Sequence, residues 1–303
     1  LNGELVPFDC LEFNPELRWI DVMSEVAFVF MDLEDRGYPA FAWRFMNHYL
    51  AATGDYDGLR VLRYYLVYRA LVRAKVALLR RGEEEEGDPA REALWQEFRG
   101  YADLAARELI RRRPALIITH GLSGSGKSTL VAPLAERLGA LHVRSDIERK
   151  RLFSLAADAK SRSAVDGGIY TADAGRQTYE RLHTIAATAL EAGCPVLVDA
   201  TFLERERREQ FRKLAADSGA QFLILHCHAP SAVLEERVQR RQRLGADPSE
   251  AGLRVLRRQF ENQQPLGEDE LERSLRIDTG QRIDGEALVN SLLPEIRRRL
   301  PGL

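Results

Sequence analysis

The sequence predicts an α/β fold, a five-stranded parallel sheet between helices, preceded by a mainly helical part. Three observations carry this prediction. From Pro114 onward, short apolar runs alternate with long amphipathic stretches, the pattern of a parallel sheet covered on both faces. Before Pro114, apolar residues recur at helical spacing. Between the first short apolar run and the amphipathic stretch that follows it lies a glycine-rich turn, HGLSGSGKST, at 120–129.

The helical part is legible in VMSEVAFVFMDL, FAWRFMNHYLAA and LRVLRYYLVYRALVRAKVALL, between Trp19 and Arg81, with TGDYDG as a polar break. RRGEEEEGDP, from Arg80 to Pro89, has the composition of a solvated linker or loop, and a hinge is expected there. A further helix is expected from about Ala90 to Arg112. The predicted strands are ALIIT (115–119), LHVR (141–144), PVLVD (195–199), QFLILHC (221–227) and LRIDT (275–279). The expected division is 1–112 for the helical part and 113–303 for the α/β part.

A chain of 303 residues, 45% hydrophobic, is long enough for two domains with a core each, which excludes whole-chain disorder. No apolar run approaches the roughly 20 residues of a membrane span, and no signal-peptide layout opens the chain, so no membrane partner and a cytoplasmic location are expected. The chain opens at Leu1, without methionine, in LNGELVPFDCLEFN, which reads like the middle of a domain and suggests a fragment. Net charge is −2, divided as 16 basic and 20 acidic residues in 1–113 and 28 and 26 thereafter. That argues against a surface generally coated by nucleic acid and makes any basic site local. Cys10, Cys194 and Cys227 form no CxxC pair and read as buried thiols. His226, Cys227 and His228 alternate along a strand, so all three cannot converge on one metal.

Gly121, Leu122, Ser123, Gly124, Ser125, Gly126, Lys127 and Ser128 satisfy GxxxxGK[ST], followed by Thr129. The motif follows a strand and opens a helix, the context that makes it a phosphate cradle for ATP or GTP. Glycines let backbone amides turn toward the β-phosphate, and the helix starting near Lys127 points its positive end at the anion. Lys127 is expected to reach the β and γ oxygens, and the Ser128 hydroxyl to ligate Mg²⁺.

A transferase needs a second substrate site facing that cradle. Asp146 follows the next predicted strand, in RSDIERKRLF, with Arg149 three residues on and on the same helical face. A carboxylate there can take a proton from an acceptor hydroxyl, hold the metal, or cap the helix it precedes. Asp199 ends PVLVD in the manner of a Walker B strand, pointing to Mg²⁺. TFLE (Thr201 to Glu204) reads as a capping box for the next helix, leaving Asp199 for the metal. In SAVLEERVQRRQRLGADPSEA, Arg237 and Arg241 share a helix face beside Arg240, and GADPSEA breaks the helix, so these arginines could close over a transferring phosphoryl group. Arg240 and Arg243 read equally well as solvated. The segment AKSRSAVDGGIYTADAGRQ (159–177) reads as an acceptor-binding loop, with Arg162, Tyr170 and Arg176 as its polar candidates.

Taken together, GLSGSGKST, the DxxR of Asp146 to Arg149, VLVDATF and RVQRR resemble the AAA-type P-loop kinases of the group that includes gluconate kinase, zeta toxins and phage polynucleotide 5′-kinase. The resemblance covers 114–301 and implies a five-stranded core, Asp146 as catalytic base and a lid carrying arginines. It implies ATP and Mg²⁺ as cofactors and a hydroxyl as acceptor. A small-molecule acceptor is favoured over a polynucleotide 5′-end, since no aromatic-interleaved basic stripe is present. The competing reading is a non-catalytic ATP-sensing module. VPFDCLEFN and WIDVMSEVAF resemble the C-terminal end of an aminoglycoside-phosphotransferase-like domain, with Asp9 in its metal-binding segment. The HxDxxxxN catalytic loop of that family is absent, so this part is expected to be catalytically silent here, as the trailing piece of a bifunctional phosphotransferase and ATP-binding type.

Overall fold

The computed structural model describes residues 19–110, 114–156, 159, 168–244, 249, 251–281 and 285–303. Four helices come first: α1 (Val22–Asp35), α2 (Pro39–Thr53), α3 (Leu59–Glu83) and α4 (Pro89–Leu109). The Asp21 carboxylate accepts from the Met23 amide and caps α1, and Pro39 starts α2 where a missing N–H costs nothing. The linker or loop expected at Arg80 to Pro89 is shorter than that, confined to 84–88. Arg80 to Glu83 continue α3, Pro89 begins α4, and Asp88 caps α4 through the Ala90 amide. The reason is packing: buried Leu66, Ala70, Ala74 and Ala77 of α3 and Leu94, Tyr101, Leu104 and Ala105 of α4 give the two helices apolar faces to bury, so the acid run is only the short turn of a helical hairpin. It is not a hinge. The expected division at 112 and 113 lies outside the described residues, as do Asp9 and Cys10.

The α/β part runs β1 (Ala115–His120), α5 (Lys127–Leu138), β2 (Leu141–Arg144), α6 (Ser145–Leu152), a 3₁₀ turn (Gly168–Tyr170), α7 (Ala172–Glu191), β3 (Val196–Asp199), α8 (Arg205–Asp217), β4 (Gln221–His228), α9 (Ser231–Leu244), α10 (Leu253–Asn262), α11 (Glu268–Leu271), β5 (Ser274–Asp278) and α12 (Gly285–Arg299). The sheet is parallel throughout, in the order β2-β3-β1-β4-β5. All five strands lie within two residues of their predicted places. β1 and β3 are wholly buried, as central strands covered on both faces must be.

One face of the sheet, with Leu116, Ile118, Val143, Val198 and Ile224, packs on α7 and α8 and on the first helices in a single cluster that includes Met23, Phe30, Met46, Leu62 and Tyr101. The first helices therefore share the largest cluster rather than holding a core apart. The opposite face, with Ile117, Leu197, Leu225 and Ile277, buries α5 and α12. β1 lies between β3 and β4 while the chain runs from β1 to β2 at the edge, so the loop after β1 opens at a switch point of the sheet, where ligands bind in such folds.

Candidate active site

The loop after β1 is shaped by two close approaches. Gly121 has φ +148° and a Cβ there would meet the Cys227 carbonyl oxygen at 2.3 Å; Gly124 has φ +83° and a Cβ would meet the Leu234 carbonyl oxygen at 2.8 Å. Only glycine satisfies both demands. The Leu122 side chain leaves the loop for a cluster with Leu234, Val238 and Leu256, so what Leu122 can offer a ligand is backbone. Lys127 is the first residue of α5 and is 9% exposed. Its Nζ donates to the Gly121 and Leu122 carbonyl oxygens, both at 2.8 Å. Burial pushes its pKa down, opposed by the charge of Asp199.

A cavity of about 1180 Å³ opens over this loop. Ser123, Gly124, Gly126, Lys127, Ser128 and Thr129 line it, and so do Asp146, Arg149, Asp199, Arg237 and Arg241. Residues drawn from four segments of the sequence are thus brought to one space. Gly121, Leu122 and Ser125 lie behind its wall.

Asp146 is the second residue of α6, whose N-cap position is Arg144 with no side-chain cap bond, so Asp146 does not cap the helix. Arg149, one turn on, donates from Nη1 to the Ile169 carbonyl oxygen at 3.2 Å and lies 5.3 Å over the Tyr170 ring. Asp199 ends β3, 5% exposed, with His142 Nε2 at 3.4 Å and Arg144 Nε at 3.9 Å from its Oδ2. Burial pushes this carboxyl up, but the His142 bond and the charges of His142, Arg144 and Lys127 outweigh it and hold it below the ordinary value. Arg237 donates to the Thr279 carbonyl oxygen at 2.5 Å and to the Gly124 carbonyl oxygen at 3.4 Å. Arg241 donates from Nη2 to the Ala251 carbonyl oxygen at 2.8 Å, and its buried Nε has no hydrogen-bond partner.

Three expectations are corrected. TFLE is not a capping box: α8 starts at Arg205 with Glu204 in the N-cap position and no side-chain cap bond, because Thr201 and Phe202 turn away in a loop where Phe202 holds φ +47°. The acceptor loop expected up to Gln177 is already helix from Ala172, capped by the Thr171 hydroxyl. Arg176 therefore stands exposed on α7, paired with Asp173 and Glu180 and away from the cavity, whereas Tyr170 lines it. Arg162 lies outside the described residues, as do 245–248 and 250 of the GADPSEA segment.

The cavity also holds residues the sequence did not announce. Thr279, just after β5, donates its hydroxyl to the Ser125 carbonyl oxygen at 2.9 Å. Gln259 of α10 accepts from the Ser123 amide at 2.8 Å. Arg207 lies 4.0 Å over the Tyr179 ring while pairing with Glu204. Position after the last strand could have flagged Thr279. Gln259 and Arg207 reach the site only through helix packing.

His226 and His228 share one face of β4, His226 4.8 Å from His120, while Cys227 is buried on the other face. Among the described residues no group of three His, Cys, Asp or Glu could hold a metal, and no helix is long and apolar enough to cross a membrane. Cys194 and Cys227 are free thiols, and burial pushes both up to about 12.

The parallel sheet, the glycine loop joining β1 to α5 and the cavity at the strand ends define an α/β P-loop fold of the kinase type. Residues 116–266 match the AAA domain family. An uncharacterized protein of Mycobacterium tuberculosis is 29% identical over 288 residues, 94% of this chain and 53% of that protein, so the chain spans about half the length of the curated relatives it matches. An adenylyl-sulfate kinase of Aeromonas salmonicida is 34% identical over 131 residues, 43% of this chain and 62% of the kinase. Among solved structures, a proposed kinase of Chloroflexus aurantiacus is 26% identical, with a TM-score of 0.47, covering 62% of this chain and 98% of that one.

Proposed function

We propose that this chain is an ATP- and Mg²⁺-dependent phosphotransferase that moves the γ-phosphoryl group to a hydroxyl of a small molecule. The observation that carries the proposal is the meeting of Asp146 and Arg149 with Lys127 and Ser128 around one cavity. A nucleotide sensor needs only the second pair. The glycine conformations at 121 and 124 and the helix start at Lys127 suit a polyphosphate. The similarity to an adenylyl-sulfate kinase supports a phosphoryl-transfer chemistry with a small acceptor.

In this proposal Asp146 takes the proton of the acceptor hydroxyl as its oxygen bonds to the γ-phosphorus and the bond to the β-phosphate oxygen breaks, releasing ADP. Lys127, Arg237 and Arg241 bear on the charge of the transferring group, and Arg149 orients the acceptor. Ser128 and Asp199 would hold Mg²⁺, which when bound neutralises phosphate charge. Lys127 must leave the Gly121 and Leu122 carbonyls to reach phosphate, an exchange that favours a charged partner over neutral oxygens. The first helices we take as the trailing end of an aminoglycoside-phosphotransferase-like lobe, silent in this chain.

The test is transfer of radiolabelled γ-phosphate onto a metabolite pool and onto 5′-hydroxyl oligonucleotides, with wild type beside Lys127→Ala. Labelled small molecules formed by wild type alone support the proposal. ATP binding with no transfer above slow hydrolysis would leave the sensing module.

A further inference from the structure

Glu148 lies between Asp146 and Arg149 in α6, yet it takes no part in the cavity. Two residues along a helix turn the side chain by about 200°, so Glu148 points away from Asp146 and into the protein. It is 0% exposed. A carboxylate so buried is tolerated only with its oxygens satisfied, and three donors satisfy them: the Tyr56 hydroxyl at 2.9 Å, Arg181 Nε of α7 at 2.6 Å, and Arg151 Nη1. Tyr56 belongs to the connection between α2 and α3, 92 residues away in sequence and 7% exposed. Burial, then the charge of Glu148, push its phenol well above the ordinary value, which keeps it a donor.

Arg151 makes the second tie. Its Nη2 donates to the Ala51 carbonyl oxygen at 2.5 Å and the Leu50 carbonyl oxygen at 3.4 Å, in the last turn of α2, where a cation complements the helix dipole. Gly54, the left-handed C-cap of α2, leaves the room: a Cβ there would meet Arg151 Nε at 2.8 Å. One face of an eight-residue helix thus lines the cavity while the other is held by charged bonds to the helical part.

We infer that Tyr56, Glu148 and Arg151 are positioning residues for phosphoryl transfer, and that the helical part acts on the reaction by fixing α6 and with it Asp146 and Arg149. The inference rests on the phosphotransferase function proposed above. A helix of eight residues does not hold itself in water, so its orientation is set by what it is bonded to. Toward the cavity Arg149 donates to the Ile169 carbonyl; on the opposite side α6 is held by the charged bonds of Glu148 and Arg151. Loosening them leaves the nucleotide cradle intact, because the cradle hangs from β1 and α5.

The experiment combines hydrogen exchange of the α6 amides with turnover of γ-labelled ATP and affinity for the non-hydrolysable analogue AMPPNP, on the full chain. Tyr56→Phe and Arg151→Ala are expected to speed α6 exchange about tenfold and to lower turnover per folded molecule about tenfold, while AMPPNP affinity stays within about twofold. Arg151→Lys, which keeps the charge at the end of α2, is expected to recover part of both. A role in stability alone would lower the melting temperature and leave turnover per folded molecule unchanged. The inference is overturned if α6 exchange is unmoved in both variants, or if exchange rises and turnover does not fall. Lys127→Ala run alongside separates the two ideas: wild-type turnover no faster than Lys127→Ala counts against the phosphotransferase, whereas unchanged α6 exchange counts against the tie.

Discussion

A Cβ on Gly121 would lie 2.3 Å from the carbonyl oxygen of Cys227, so the first residue of the phosphate loop runs against the backbone of β4. That carbonyl has little room to retreat, because β4 is paired on both sides, with β1 and with β5. Gly121→Ala must therefore displace the loop, and its φ of +148° adds strain. We expect a loss of about 2 kcal/mol in stability and about tenfold or more in AMPPNP affinity, read by denaturant unfolding and calorimetry. Gly82→Ala serves as the contrast: Gly82 lies in α3 with nothing within 4 Å, so alanine should gain about 0.5–1 kcal/mol. Equal effects at the two sites would remove close approach as the cause.

Arg208 and Glu270 form a buried bidentate pair, with Nε to Oε1 at 2.6 Å and Nη2 to Oε2 at 2.9 Å, and Arg208 Nη1 also donates to the Phe202 and Gln264 carbonyls. The pair joins α8 to α11, and the Arg208 bond to the Phe202 carbonyl ties both to the Phe202 loop. Glu270→Ala strands a guanidinium that is 1% exposed and should cost about 3–5 kcal/mol. Burial raises the Glu270 carboxyl, but the Arg208 and Gly267 bonds and nearby arginines bring it below the ordinary value. A lowered carboxyl contributes stability that is present above the unfolded-state value of about 4.3 and is lost as pH falls through the lowered one. The gap in urea midpoint between wild type and Glu270→Gln should accordingly be full at pH 7 and shrink below about pH 4. A gap independent of pH would assign the effect to packing.

The strands and the phosphate loop were legible because both depend on local pattern: an apolar run bounded by Gly or Pro, and glycines at set spacing before Lys127. The places of Asp146 and Asp199 beside the cavity followed from the same pattern, since one opens the helix after β2 and the other ends β3, at the strand ends where the sheet opens. The failures share a different cause. Arg80 to Glu83 look like linker until α4 is there to pack against α3, and Arg176 looks like a loop cation until Thr171 caps α7 ahead of it. Gln259, Arg207 and the Tyr56 to Glu148 bond join residues far apart in the chain, and no spacing rule encodes such a meeting.

His120 is buried at the end of β1, and neither ring nitrogen has a hydrogen-bond partner. Burial first, then the neighbouring His226, Arg208 and Lys127, bring its pKa down to about 3. The unfolded chain takes up a proton near pH 6.5 while the folded chain does not, so stability falls as pH drops from about 6.5 toward 3. Urea midpoints measured from pH 7 to pH 4.5 should decline in wild type, with a flatter decline in His120→Gln. His226, lowered by burial and by His228, contributes to the same slope, and the double variant should be flatter still. An unchanged slope in both variants would place the titration elsewhere.

Asp146 and Asp199 line one cavity but sit in different surroundings, and substitution should separate their roles. Asp199 is 5% exposed and held ionised by His142, Arg144 and Lys127; Asp146 lies on the first turn of α6, facing the cavity. Asp146→Asn keeps the shape and removes the proton acceptor, so transfer should fall about 10²–10⁴-fold with AMPPNP affinity nearly unchanged. Asp199→Asn removes charge from the proposed metal position, so the concentration of Mg²⁺ needed for half-maximal transfer should rise, and excess Mg²⁺ should restore part of the rate. Measuring transfer against Mg²⁺ concentration for both variants distinguishes them. Full transfer by Asp146→Asn would refute its assignment as base, and a Mg²⁺ dependence unchanged in Asp199→Asn would leave that carboxylate as the ion partner of His142 and Arg144 alone.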